Sequence, residues 1–196
     1  RYRVWSRETT EQRAKQAILA FRGDVYAGMA ATAFEQQDFD FAQQHLRILS
    51  GLYGLLRPLD MIQPHRLEMG TRLENSRGKD LYAYWKSENA PLINRAVKEA
   101  GGPIVNLASN EYFSSVESPQ LESPVVTPVF KDEKSGVYKV ISIYAKKARG
   151  MMCDFVIRNR LQQPQQLKAF SAAGYRFSEQ DSDERQLLFL RREQDR

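Results

Sequence analysis

A chain of 196 residues, 42% hydrophobic and 27% charged, has enough apolar material for a globular core, and its formal charge of +5 with an isoelectric point near 9.3 favours polyanionic partners. The single cysteine, Cys153, excludes an intramolecular disulfide and a cysteine-built zinc site, and the two histidines, His45 and His65, stand in no ligand spacing, so no stable metal site and no cofactor is expected. No apolar run nears the roughly 18 residues that cross a bilayer and no signal-like segment follows Arg1, so no membrane partner is expected and a reducing setting fits; a start at Arg1 rather than methionine reads as a fragment.

In chain order, Ala14, Ala17, Ile18 and Phe21 recur at helical spacing and predict a helix from Thr10 to Arg22, closed by Gly23. GDVYAGM reads as a short connection. A second helix follows, capped by Asp38 or Asp40, with Phe41, His45, Ile48 and Leu49 on one face. From Lys79 a helical stretch interrupted at Pro91 ends at Gly101-Gly102. PIVNLA at 103–108 and VVTPVF at 125–130 read as strands, the second pushed to an edge or a bulge by Pro128. KDEKSG then turns into GVYKVISIY, a hairpin, and a long helix spans Ala145 to Leu161. GYRF and QLLFLRR predict a last hairpin. Helices first and strands later indicate an α+β fold, a single compact domain over 1–196 with antiparallel hairpins in its second half.

Residues 49–54, LSGLYG, carry two glycines between a helix and a second apolar segment. Helix, hydrophobic-Gly-hydrophobic-x-Gly, helix is the pattern of a helix-hairpin-helix, in which open amides around Gly51 and Gly54 meet a DNA phosphate and read no bases. The other reading ends one helix at Gly51 and bends the chain at Gly54. Pro58 argues for this second reading, because it falls where a second helix needs its amides. Arg57 either leans on a phosphate or is solvated.

YAKKARG at 144–150 places Lys146, Lys147 and Arg149 near a predicted helix start, where positive charge is disfavoured and a bound anion would remove the conflict. A solvated basic face paired with nearby acids is the alternative. NLASNEYF at 106–113 sets Asn106, Ser109, Asn110 and Glu111 after a strand, as a polar site or simply as a strand end and helix cap. An enzyme acting on damaged nucleic acid would use a cleft lysine and a carboxylate, such as Lys146 or Lys147 with Asp60, but no spacing singles out a pair.

FRGDVYAGM, LRILSGLYGLLRPLD, RLEMG, NLASNEYF and KVISIYAKKARGMM together resemble the bacterial peroxide stress resistance protein YaaA family, over nearly the entire chain. The resemblance implies a cytoplasmic protein that binds double-stranded DNA, including damaged or structured DNA, through a helix-hairpin-helix and a basic cleft, limits peroxide damage to DNA and restrains free intracellular iron. By position it implies a hairpin of Leu49, Gly51, Tyr53 and Gly54 with Arg57 alongside, and a cleft drawing on Lys146, Lys147 and Arg149, joined by Arg47 and Arg66. Family members begin with an apolar strand and a Ser-Pro-Ala-Lys-type segment that the residues from Arg1 onward do not contain.

Overall fold

The computed structural model describes residues 13–196. Contacts divide it into two compact units, one built from 35–100 and 108–122 with the described residues up to Phe21, the other from 22–34, 101–107 and 123–196. Helices and strands mix in both, an α+β architecture with antiparallel hairpins.

In the first unit, the helix predicted from Thr10 begins outside the described residues. Within them Lys15–Gln16 is a strand, β1, and only Ala17–Ala20 forms a helical turn, α1. Tertiary pairing overrides the helical pattern: β1 lies antiparallel to β4 (Met61–Ile62), and the amides of Ala17 and Ile18 donate to the carbonyls of Asp60 and Pro58. Helix α3 spans Gln36–His45 behind a capping box in which Glu35 is the cap and Asp38 the third helical residue, its Oδ2 accepting from Glu35 N at 3.0 Å. Phe41 is buried and stacks on His45, whereas Ile48 and Leu49 have left the helix for strand β2, Ile48–Ser50. Strand β3, Gly54–Leu56, pairs with it antiparallel.

Helix α4, Leu81–Ala100, runs through Pro91 without a break. Pro91 and Ser87 both face solvent, so the Ser87 carbonyl that loses its helical donor is open to water, and the buried Asn89-Ala90 side is undisturbed. The helix ends as predicted at Gly101-Gly102, both at positive φ. The short helix α5, Asn110–Phe113, starts at Ser109, whose hydroxyl accepts from Tyr112 N.

The second unit is a sheet with helices against it. GDVYAGM is a helix, α2, Asp24–Met29. The sheet order is β5 (Ile104–Val105), β6 (Val125–Lys134), β9 (Gln186–Arg191), β8 (Arg176–Phe177), with β7 (Val137–Lys139) paired to the far end of β6. Strand β6 is therefore central, not an edge. Pro128 is tolerated because β5 pairs with β6 only as far as Val126 and β7 only from Asp132, so the missing amide falls in the gap between them. Both predicted hairpins form; Lys134 and Val137 face each other across Ser135-Gly136, both at positive φ, as a two-residue turn of the primed kind requires.

Helix α6, Ser142–Arg158, starts three residues before the predicted position. Its Ala145, Ala148 and Met152 join Val126, Phe130, Leu167, Phe170, Tyr175 and Phe189 in one buried cluster. Phe130 is central to it, stacked on Phe189 and edge-on to Phe170 and Tyr175. Cys153 lies buried on the same helix, and burial first, with the Asp154 charge second, pushes its thiol up to about 12. A buried thiol raised this far carries little thiolate at neutral pH, so native protein is expected to react with a thiol reagent much more slowly than protein in denaturant. Equal rates in the two states would show that Cys153 is open to oxidants.

Candidate nucleic-acid interface

LSGLYG folds as a β-hairpin. Ser50 and Gly54 face each other across the loop Gly51-Leu52-Tyr53, and the second helix expected after Gly54 is instead β3 followed by the Arg57–Asp60 turn, with Pro58 buried inside it. The helix-hairpin-helix reading is corrected on that point, and the physical reason is visible at each loop amide. Ser50 Oγ accepts from Leu52 N at 3.3 Å and Tyr53 N at 3.2 Å, so the amides expected to face a phosphate close on the protein's own serine. The Gly51 carbonyl accepts from Trp85 Nε1 at 2.9 Å.

Both glycines are required by close approach within this unit. A Cβ on Gly51 would lie 2.5 Å from the Leu67 carbonyl oxygen, and one on Gly54, at φ +72°, would lie 2.5 Å from the Trp85 ring. Thus the LSGLYG hairpin is docked on RLEMG and on α4. Tyr53 hydroxyl accepts from Gln63 N, and its ring meets His65 edge-on. His65 Nδ1 donates to the Gln63 carbonyl at 3.0 Å, leaving Nε2 to accept from Ser50 Oγ at 3.3 Å in the neutral ring. RLEMG is held in turn by NEYF, where Glu111 Oε1 accepts from Gly70 N at 2.9 Å. Ser109 and Asn110 therefore serve as helix cap and helix start, while Glu111 joins two motifs.

Each of the three arginines singled out in this unit has an internal partner. Arg47 donates to the carbonyls of Gln43, Gln44 and Leu46 and so closes the C-terminus of α3; burial first, then Arg57, holds its guanidinium below the usual range. Arg57 pairs with Asp60 at 3.6 Å, and its own amide donates to the same carboxylate at 2.7 Å. Arg66 pairs with Glu68 at 3.2 Å on the surface. Leu49 is half-buried in β2.

Lys146, Lys147 and Arg149 lie in the second unit, on α6. Because that helix begins at Ser142, they sit beyond its first turn, and the dipole conflict expected from a start at Ala145 largely disappears. Arg149 is half-buried, donates to its own helix at the Ala145 carbonyl, and has its pKa lowered by desolvation. Lys146 and Lys147 are exposed and make no ion pair among the described residues. The N-cap Ile141 supplies no side-chain acceptor, and the first turn holds no acid. Nothing negative therefore covers this end of the helix from its own sequence: from Lys134 to Cys153 there are five cations and no Asp or Glu.

The residues the sequence reading missed are those that place this helix. Gly28 of α2 lies over the Lys147 carbonyl, and Gly150 of α6 lies over the Val25 carbonyl, so FRGDVYAGM and AKKARGMM are two sides of one glycine-mediated helix crossing. The signal was present in each motif as a glycine inside an otherwise helical run. A family model described as peroxide stress protein YaaA matches residues 1–181, a span that takes in every one of these motifs. The chain belongs to the peroxide stress protein YaaA family.

Proposed function

We propose that this protein binds duplex DNA through its phosphate backbone, without reading sequence, and that in peroxide stress it shields that DNA from damage. The observation that carries the reading is the exposed Lys146-Lys147 pair, without an ion pair among the described residues, in a twenty-residue stretch without an acid, in a chain of net charge +5. Lysines of this kind bind as point charges and release condensed counterions, which gives affinity without base discrimination. Arg57 and Arg66 contribute less, since each already has a carboxylate partner, and Arg47 is a helix-closing residue first. A cytoplasmic site of action belongs to the same proposal. For the family's link to iron we propose action through a partner; among the described residues no group of three or more His, Cys, Asp or Glu is placed to hold a metal ion.

The test is fluorescence anisotropy of a short random-sequence duplex across a salt series. The expected result is a log–log slope of about −0.9 per neutralised phosphate, shared by duplexes of unrelated sequence. Affinity indifferent to salt would contradict the proposal.

A further inference from the structure

Seven large hydrophobic side chains are notably exposed among the described residues, and four of them fall within residues 137–143: Val137 at 62%, Tyr138 at 37%, Val140 at 56% and Ile143 at 58%. The other three, Met61, Leu73 and Leu92, are scattered along the chain. Every residue from Lys134 to Val140 is exposed.

The pairing explains why. Strand β9 accompanies β6 only as far as Asp132, and from Glu133 onward β6 pairs with β7 alone, so 133–138 is a two-stranded ribbon ending at the Ser135-Gly136 turn. The C-terminal residues brace its β6 strand as far as the turn: Glu193 Oε2 accepts from Ser135 N, Glu133 Oε2 accepts from Glu193 N, and Arg196 donates to the Glu133 carbonyl. The ribbon also carries Lys134 beside its turn and Lys139 at its base, neither in an ion pair among the described residues. On its flank Tyr138 lines an open cleft of about 510 Å³ shared with Arg176 and Arg192, the latter paired with Asp195.

Lysines on an edge strand commonly prevent edge-to-edge association, but here they stand beside bare aliphatic side chains, Val137 on the strand and Val140 and Ile143 just after it. A second copy of the chain is a poor occupant, because stacking the ribbon on itself would set Lys134 and Lys139 against their own copies, and the nearest carboxylates, Glu133 and Glu193, already accept from backbone amides. A polyanion with an apolar interior to its grooves fits both features. A two-stranded ribbon has the width of the DNA major groove, where aliphatic side chains lie against the sugar walls, which carry no sequence information, while lysines meet phosphates on the rims.

We propose that the β6–β7 ribbon and the first turn of α6 form a DNA-binding arm, with Val137, Val140 and Ile143 entering a groove and Lys134 and Lys139 engaging the phosphates beside it. The inference rests on the DNA-binding reading above and adds a contact of different physics, one that salt does not screen.

The experiment compares full-length protein with a Val137→Ser/Val140→Ser/Ile143→Ser variant and a Lys134→Gln/Lys139→Gln variant, all with matched urea midpoints, on one 20-base-pair duplex over a salt series. The serine variant is expected to bind at least about tenfold more weakly at every salt concentration with its slope unchanged, as loss of apolar burial requires. The glutamine variant is expected to lose up to about 1.8 from the slope. Wild-type binding to DNA with a serine variant of equal affinity would overturn the arm and leave the DNA-binding reading intact; a wild type that binds no duplex at low salt would remove both. Binding of the wild type to vesicles of 30% phosphatidylserine, lost in the serine variant while DNA affinity is unchanged, would overturn the arm in favour of a membrane surface.

Discussion

Gly150→Ala is expected to destabilise the protein by about 3 kcal/mol, read as a fall in the urea midpoint at constant slope. Helix propensity alone argues the other way, since alanine in a helix interior is favoured over glycine by about 1 kcal/mol. The steric effect wins because the new Cβ would overlap the Val25 carbonyl oxygen and stand 2.8 Å from Met29 N, and both obstacles are backbone of α2. Backbone cannot rotate aside as a side chain can, so the crossing must open along α6. Gly28→Ala should act in the same direction, its Cβ falling against the Lys147 carbonyl. A stabilised Gly150→Ala variant would mean that α2 can shift without loss, and the account of these two glycines would be wrong.

Replacing Arg191 by methionine is expected to cost about 3 kcal/mol, because it leaves the fully buried Asp132 carboxylate with only the more distant Arg196 guanidinium, 3.9 Å away, as its counter-charge. Asp132 is inaccessible; its Oδ1 accepts from Arg191 Nε at 2.7 Å and its Oδ2 from Tyr175 hydroxyl at 2.8 Å. Arg191 is itself held between the rings of Tyr144 and Tyr175, and it donates to the Ala173 carbonyl. Tyr175→Phe removes one donor only and should cost about 1–3 kcal/mol. The double variant Asp132→Leu/Arg191→Met should recover most of the loss, since two apolar side chains replace two buried charges. A single Arg191→Met variant within about 1 kcal/mol of wild type would contradict this reading of the network. Asp132 also stands in register with both Lys139 and Arg191, where β6 passes from β9 to β7, so the same carboxylate fixes the base of the exposed ribbon.

Local chemistry made some elements legible in the sequence. Ser135-Gly136 between alternating residues marks a two-residue turn, and Gly101-Gly102 marks a helix end, because each requires positive φ that few residues accept. Other elements were set by partners remote in sequence. The helix in GDVYAGM, Asp24–Met29, is six residues long, too short to show a helical period, and it exists against α6, more than a hundred residues later. Lys15-Gln16 sits in a helical pattern but pairs with Met61-Ile62. Pro91 reads as an interruption because sequence does not reveal that its side of the helix faces water.

The candidate site divides the same way. Glycine spacing in LSGLYG is shared by a helix-hairpin-helix and by the tight β-hairpin observed, and Pro58, which weighs against a second helix, does not by itself separate them. What Gly51 and Gly54 approach, the Leu67 carbonyl and the Trp85 ring, depends on contacts 16 and 31 positions away (67 − 51 and 85 − 54) that no local pattern encodes. The lysines were legible as a cluster, but that they make no ion pair among the described residues follows from the position of α6 and from the acid-free stretch around them.

The most direct test of the central claim is a comparison of two charge-removal variants on the same duplex, Lys146→Gln/Lys147→Gln against Arg57→Gln/Arg66→Gln. The account predicts that the lysine variant flattens the salt dependence by up to about 1.8 in the log–log slope, while the arginine variant, whose guanidinium groups are already paired with Asp60 and Glu68, changes it much less. A lysine variant that binds with the wild-type slope, or an arginine variant that loses more of it than the lysine variant, would contradict the account.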